Sequence, residues 1–385
     1  MRTRLPFAAL CTTALVVGGA SAAMAAVAPT AVRPCAQPNG RVSSMAISGG
    51  TLFIGGTFTQ VQDRSGKNQV RSRLAAIDVA TCDLTSWTAA ADGEVLSIAV
   101  SGSTVYVGGS FTNVGGASRS NIAALSVNSA QVQSFSPVIN KPVRALAASG
   151  SSLYVGGDFA KVGAASRSKL AAFSLASGAL DSGWQPKANG KVNTLALSAD
   201  GGRVYVGGLF TTLNGQGANP YLGAVSAASG KNDSGFAPHS LFPVLKVVAD
   251  AQGVYVGQAG SGGHLLLLKQ DGTLQQEIYQ MDGDVQAVAV DGDSVFGGGH
   301  FTNYCVGNTG AGAPFMCDKN LPRRKVLEVS WSGGQVTPWA PTLDSPFGVL
   351  SAAVDPSTHD LWLGGDFTKV AGQPVAHLAK FSPVR

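Results

Sequence analysis

The sequence lacks what a nucleic-acid-binding or membrane-spanning protein needs. Its 27 lysines and arginines exceed its 22 aspartates and glutamates only slightly, so the formal net charge is +5, which is too mild to imply a nucleic-acid ligand. Beyond the first two dozen residues, no apolar run approaches the roughly 18 residues that a membrane helix requires. We therefore expect neither nucleic acid among the partners nor a membrane span.

The sequence also lacks the short motifs of common enzymes. No G-x-S-x-G, H-E-x-x-H, phosphate-binding glycine loop or EF-hand pattern occurs. The "DGD" segments at 282–284 and 291–293 could chelate calcium, but Asp-Gly turns explain both without a metal. Aspartates could supply the carboxylate pair of a glycosidase, although nothing singles out a pair. The sequence predicts no metal and no cofactor.

The first 25 residues have the pattern of a secretory signal peptide. The stretch "MRTRLPFAALCTTALVVGGASAAMA" has a basic start, an apolar middle and an end of small residues. Cleavage after Ala25 would leave residues 26–385 and would lower the net charge from +5 to +3 by removing Arg2 and Arg4. We therefore expect a secreted, extracellular protein.

Cysteine is scarce, and its number becomes even once the signal peptide is removed. An even number of cysteines in an exported chain favours disulfides. Cys305 and Cys317 bracket one loop and are predicted to pair, which leaves Cys35 for Cys82. A zinc site is the poorer alternative, because no C-x-x-C pair exists.

One short segment occurs seven times along the chain. It reads "VYVGGSFTNV" at 105–114 and "LWLGGDFTKV" at 361–370, and the copies at 254–260 and 295–302 match this pattern less well. A period near 50 residues indicates a repeat architecture. The first glycines of the copies, or their equivalents, are Gly55, Gly108, Gly156, Gly207, Gly257, Gly298 and Gly364.

Four short apolar segments recur in each unit. In one unit they are "VRALAAS" at 143, "LYVGG" at 153, "LAAFS" at 170 and "WQP" at 184, with turn residues between them. Short segments of this composition predict four antiparallel strands, and seven such units predict a seven-bladed β-propeller. The glycine pair would let neighbouring blades approach closely, and the phenylalanine that follows would fill the gap.

The two ends of the chain predict a closed ring. The seventh unit stops after its third strand, at "HLAKFSP", while "RPCAQPNG" at 33–40 resembles the fourth segment "WQPKANG" at 184–190. An N-terminal strand would therefore complete the last blade and remove both open sheet edges. The whole of residues 26–385 would be one domain, which we expect to be a monomer.

The repeat "YVGGxFT…R…LAxFD" resembles the delta-sixty type β-propeller repeat of secreted bacterial proteins, and fungal cortical cell-polarity markers share a similar GGxF strand. The resemblance covers nearly all of the mature chain. It implies the propeller fold, and it carries no catalytic residues over to this sequence.

A ring of arginines gives the first candidate binding site. These residues lie on the loops between the second and third strands, hence on one face of the disc, and could hold an anionic polymer through paired N–H donors. The alternative is that each arginine braces its own blade against a backbone carbonyl. The candidate ligand-binding residues are Arg71, Arg119, Arg167, Arg323 and Arg324.

Two other places break the repeat. The short connector "GQAGSGG" in the fifth unit precedes a long loop at 303–325, and together they would form a notch that suits a ligand. The alternative is neutral sequence change in a loop that tolerates insertions. The first strands would line a central channel, which suits either a small asymmetric ligand or water. Its polar residues are Ser43, Arg144, Asn193, Lys246 and Gln286.

These features favour a non-catalytic binding module that recognises an extracellular glycan, a cell-wall polymer or a protein. The alternative is a polysaccharide hydrolase or lyase that uses carboxylates and arginines around the channel mouth. Because propellers host many activities, the fold by itself does not decide between a binding module and an enzyme.

Overall fold

The computed structural model describes residues 35–217, 220–238, 240–260, 263–278, 281–306 and 319–383. The predicted signal peptide, the side chain of Cys305 and all of Cys317 lie outside the described part, so the Cys305–Cys317 pair stays a prediction. The other predicted pair is confirmed, since Cys35 and Cys82 form a disulfide.

Strands form all of the regular secondary structure in the described residues. This part of the chain contains seven main antiparallel sheets, one for each repeat unit, and the YVGG segment is the central strand of each. Strands from the first and third apolar segments flank it on either side. The same residues include no helix that is long and apolar enough to cross a membrane.

The strand bounds follow the predicted segments. The first strands are Val42–Ser48, Val95–Ser101, Val143–Ala148, Val192–Leu197, Val244–Ala249, Val285–Asp291 and Val349–Val354. The second strands are Thr51–Gly56, Thr104–Gly109, Ser152–Gly157, Arg203–Gly208, Val254–Gln258, Ser294–Gly299 and Leu361–Gly365. The third strands are Leu74–Asp78, Ile122–Ser126, Leu170–Ser174, Leu222–Ser226, Leu265–Leu268, Val326–Ser330 and Leu378–Phe381.

Short antiparallel ladders lie in the loops that follow the second strands, and the first of them has Gln37–Pro38 as a third strand. They are Gln60–Gln62 with Asn68–Val70, Asn113–Val114 with Ala117–Ser118, Lys161–Val162 with Ala165–Ser166, Asn303–Val306 with Lys319–Pro322, and Lys369–Val370 with Gln373–Pro374.

The prediction of four strands in every unit is wrong for most of the described sheets. The fifth sheet has a full fourth strand, Leu274–Ile278, whereas five other units make a single bridge, such as Phe173–Leu180. The chain then turns its aromatic side chain inward: Trp184 is fully buried, with its ring 5.1 Å from that of Tyr154. The first unit makes the same single bridge, at Ile77–Leu84, although no proline follows its Trp87, so the proline of "WQP" is not required to end the pairing.

The N-terminal segment also differs from the expectation. In the described residues its strand, Gln37–Pro38, pairs with Gln60–Gln62 of the first unit and not with the last sheet. Its contact with the last unit comes from the Gln37 side-chain amide, which donates to the Leu378 carbonyl at 3.2 Å and accepts the Ala376 N–H. The disulfide near this segment ties it to the first unit, so a side chain takes over the role expected of a backbone ladder.

The hydrophobic core lies between neighbouring sheets. Within the described residues seven buried clusters each combine side chains from adjacent units. One of them joins the two ends of the chain, because Val42 and Phe58 of the first unit pack with Trp362 and Leu378 of the seventh.

The glycine pair allows this close packing, as predicted. A Cβ atom on Gly55 would lie 2.5 Å from Cγ1 of Val95 in the next unit, and one on Gly56 would lie 1.9 Å from the Arg41 carbonyl oxygen. Neither position has room for a side chain. The phenylalanine that follows is buried between units, as at Phe58.

Candidate binding site

The connectors between units and the loops after the second strands lie at one end of the sheets, because antiparallel neighbours end and begin at the same edge. We call this end the loop face. Its connectors are 39–41, 92–94, 140–142, 189–191, 241–243, 282–284 and 344–348, and the described parts of its loops are 57–73, 110–121, 158–169, 209–217, 220–221, 259–260, 263–264, 300–306, 319–325 and 366–377.

An Asn or Asp in the connector clamps the neighbouring loop in six units. The Asp92 carboxylate accepts the backbone N–H groups of Thr112 and Asn113 at 2.8 and 3.0 Å. The Asn189 side-chain oxygen accepts the backbone N–H groups of Thr211 and Thr212 in the same way. The six clamp residues are Asn39, Asp92, Asn140, Asn189, Asp282 and Asp344. Sequence reasoning missed them, although five stand three residues before a first strand and could have been found by that spacing.

The clamp contacts lower the pKa values of the acidic clamp residues. Partial burial by itself would raise the pKa of Asp92, but hydrogen bonds from the Thr112 hydroxyl, the Asn113 amide and two backbone N–H groups lower it well below its ordinary value. The pKa values of Asp282 and Asp344 are lowered by the same kind of contacts, again against the effect of burial. Each carboxylate is therefore held in its charged form by the loop that it fixes.

The predicted arginines are used inside their own units. Arg119 donates from one terminal nitrogen to the Ser118 carbonyl at 2.7 Å and from the other to the Gln133 carbonyl at 2.7 Å. The same two contacts, to the preceding residue and to a carbonyl 14 residues later, recur at Arg71, Arg167 and Arg323.

These contacts agree with the bracing alternative. The second acceptor lies on the fourth segment, at the point where that segment leaves the sheet, so the guanidinium group takes the place of the missing ladder. Burial lowers the pKa of Arg71 and Arg323, as expected for groups withdrawn from water. Arg167 is buried, whereas Arg324 is exposed. Ligand binding by the five arginines stays a prediction.

The loop face also exposes large apolar side chains, which sequence reasoning did not single out. Leu209 is 44% exposed, Leu241 65% and Phe347 56%. The Arg41 guanidinium lies over the Phe347 ring, 5.4 Å from its centre. Such side chains differ from unit to unit, unlike the clamps and the arginines.

The first strands of all seven sheets line one central cavity of about 140 Å³. A bulge between the first and third residue of each first strand aims successive side chains toward it. The predicted channel residues are among its lining, as Ser43, Arg144, Asn193, Lys246 and Gln286.

Most of the polar channel residues have partners in the protein. Ser43 donates to Glu94 at 2.8 Å, Arg144 forms an ion pair with Asp158 at 2.9 Å, and Asn193 donates to the Val244 carbonyl at 2.8 Å. The Gln286 amide lies 3.3 Å from Nδ1 of His300. Lys246 differs from them, since burial alone lowers the pKa of its amine.

The predicted notch falls partly outside the described residues, which omit 261–262 and 307–318. In the part that is described, Gln258 replaces the second glycine of the pair, and its amide donates to Ser240 at 2.7 Å and to the Phe242 carbonyl at 3.1 Å. A cavity of about 240 Å³ lies beside it, between Leu241 and Leu274.

Comparison with known proteins supports the architecture. No protein-family model matches the sequence, and neither does any curated protein. Among solved structures the chain is similar to the crystal structure of the WD40 beta propeller domain of Doa1, with a TM-score of 0.58 and 10% identity, covering 94% of this chain and 98% of that one. A likeness at this identity concerns the fold. Together with the seven sheets, it identifies the chain as an all-β protein with the β-propeller fold.

Proposed function

We propose that the chain is a secreted, non-catalytic binding module that recognises an extracellular glycan, cell-wall polymer or protein through its loop face. The loop face carries this proposal, because six side-chain clamps hold its loops in place while the exposed residues between them vary. A rigid scaffold with variable loops is where binding residues concentrate.

The proposal includes a closed ring of seven blades built from delta-sixty type repeats. Three contacts between the first and last units support closure. The Ser351 hydroxyl donates to the Val42 carbonyl at 3.2 Å, the buried Lys380 ammonium donates to the Val79 carbonyl at 3.0 Å, and one hydrophobic cluster spans both units. The cavity lined by every first strand also fits a ring.

A protein is the ligand class that the exposed side chains favour. Large apolar residues such as Leu209, Leu241 and Phe347 resemble the core of a protein interface, and the exposed Arg324 would belong to its charged rim. Arg41 occupies one face of the Phe347 ring, which leaves less aromatic surface for stacking a sugar. The four braced arginines would contribute to binding through their positive charge and by keeping the loops rigid.

The test uses the mature protein, with a glycan array, insoluble cell-wall polysaccharides and extracellular proteins as baits, and scores retention and released sugar together. We expect retention without sugar release. Phe347→Asp and Arg324→Ala should weaken capture at least tenfold with an unchanged melting temperature, while Gln252→Asp, in an exposed turn at the other end of the sheets, should bind as the wild type does. Sugar release would favour the hydrolase or lyase alternative, and capture that ignores the loop-face changes would overturn the site.

A further inference from the structure

Lys246 stands at a position that the other six units fill with small residues. It is the third residue of its first strand, directly opposite the first glycine of the glycine pair, where Lys246 faces Gly257. The equivalent residues are Ser44, Ser97, Ala145, Thr194, Ala287 and Ser351.

Three of these small residues hold neighbouring units together. Ser44 donates to the Val95 carbonyl at 3.3 Å, Ser351 donates to the Val42 carbonyl, and the Thr194 hydroxyl accepts the Val247 N–H at 3.1 Å. A lysine gives up that contact and places a four-carbon chain and a charge in the central cavity instead.

The Lys246 ammonium has no counter-ion in the described part of the chain. Burial is the sole cause of the lowering of its pKa, with no carboxylate acting on it, and none of the described ion pairs includes it. The other cation of the cavity, Arg144, is already neutralised by Asp158. Lys246 is partly buried, and its ammonium is not among the buried atoms that lack a partner, so water reaches it in the free protein. An anion that entered the cavity would be attracted to this charge without competition from a protein carboxylate.

The residues that line the cavity include no carboxylate. Among the described residues its lining carries hydroxyl, amide and apolar side chains, and its cations are Lys246 and Arg144. Because Arg144 is paired with Asp158, the cavity keeps one positive charge without a partner.

We propose that the central cavity is a small-molecule site, separate from the loop face, that binds a monocarboxylate through the Lys246 ammonium group. The cavity volume of about 140 Å³ is close to that of cavities that hold benzene, so the ligand has about six non-hydrogen atoms. A single unpaired cation matches a single negative charge, and the hydroxyl and amide groups around it match a polar substituent such as the hydroxyl of lactate. This proposal does not depend on the proposed function of the loop face.

The test is isothermal titration calorimetry of the mature protein with lactate, acetate, inorganic phosphate and chloride at constant ionic strength. Lactate should bind most tightly. Lys246→Met, which keeps the length of the chain without the charge, should weaken lactate binding at least tenfold. The matched control is Lys231→Met, an exposed lysine in a turn at the opposite end of the sheets, which should bind lactate as the wild type does.

Two further readouts separate a lost site from a lost fold. Lys246→Met should keep a melting temperature at least as high as that of the wild type, because it removes a charge that has no partner in the described fold. Lactate binding by the wild type should take up protons at alkaline pH, since a bound carboxylate favours the charged amine; the calorimetric heat should then change with the ionisation enthalpy of the buffer.

Several outcomes would overturn the proposal. Equal binding of lactate by the wild type and Lys246→Met would remove the role of the lysine. Equal affinity for chloride and lactate would indicate that the Lys246 charge attracts any anion without selecting a carboxylate. Tighter binding of phosphate would exclude a monocarboxylate site. Absence of lactate binding below about 100 mM, a Kd that corresponds to roughly −1.4 kcal/mol, would also overturn it.

Discussion

At the scale of single residues, one pairing position controls how closely the units approach. The third residue of each first strand faces a glycine across the sheet, and that glycine touches the next unit. Small residues at both places let a valine from the neighbouring sheet enter. Lys246 is the departure from this rule, and it is where the structure suggests a ligand.

Gly108→Ala should destabilise the protein by about 1 to 3 kcal/mol, because overpacking a tight contact forces neighbours to move. The new Cβ would lie 2.5 Å from Cγ1 of Val143 and 2.6 Å from the Ser97 hydroxyl oxygen. Urea denaturation gives the free energy of unfolding. Gly150→Ala is the matched control, since a Cβ there meets nothing within 4 Å; equal effects of both changes would contradict this account.

At the scale of elements, two side-chain devices replace regular strand pairing. The arginines join the loop before the third strand to a fourth segment that leaves the sheet. The Asn or Asp clamps join each connector to the loop beside it. Both act on backbone groups, so they hold shape without restricting the neighbouring side chains. This explains how the loops can vary while the sheets repeat.

Arg119→Ala should lower the free energy of unfolding by about 1.5 to 3 kcal/mol, because two charge-assisted hydrogen bonds to backbone carbonyls are lost. Arg324→Ala, a change at an exposed arginine, should stay within about 0.5 kcal/mol of the wild type. Chemical denaturation of both variants measures the difference. A fully stable Arg119→Ala protein that had lost ligand capture would instead favour the binding role of the arginines.

Asp92→Ala should lower the free energy of unfolding by about 1 kcal/mol, a modest loss because the clamp is partly exposed and water can replace its hydrogen bonds. Asp92→Asn should be tolerated, since Asn140 and Asn189 make the same contacts in their units. The folded-state pKa of Asp92 is lowered, so its contribution is present above the ordinary value of 3.8 and is lost as the pH falls through the folded-state pKa. Unfolding curves between pH 7 and 2 should therefore show the wild-type advantage over Asp92→Ala shrinking with acid. An advantage that grows with acid would contradict the clamp.

At the scale of the whole molecule, the first and seventh units meet through side chains. Gln37 contacts the last sheet, Lys380 reaches the Val79 carbonyl, and the Cys35–Cys82 disulfide ties the N-terminal segment to the first unit. The buried Lys380 is paired with Asp360 at 2.8 Å, so its charge is compensated where that of Lys246 is not.

Replacing Cys35 and Cys82 together with serine should destabilise the protein by about 2 to 4 kcal/mol, because the disulfide closes a loop with a sequence separation of 47 residues and restricts the unfolded chain. The urea midpoint of the double variant should match that of reduced wild type. A midpoint equal to that of the oxidised wild type would show that the disulfide adds nothing to the stability of the fold.

The repeated residues alone were enough to predict the fold class. Recurring glycine pairs, a phenylalanine after most of them and β-branched segments of five to seven residues allow few structures other than packed antiparallel sheets. The number and placement of the cysteines predicted the Cys35–Cys82 pair, and the first apolar segments predicted the polar residues that line the cavity. Such features are local or periodic, so they can be read without coordinates.

Other features depend on contacts between residues far apart in the sequence, and only the three-dimensional arrangement could decide them. A carbonyl 14 residues away determines that Arg119 braces its unit, and the single bridge at Phe173–Leu180 determines where the fourth segment leaves its sheet. Lys246 looked like one polar channel residue among five until its pairing with Gly257 and its lack of a counter-ion distinguished it. Periodicity gives the direction of a side chain, but the groups that surround it come from other parts of the chain.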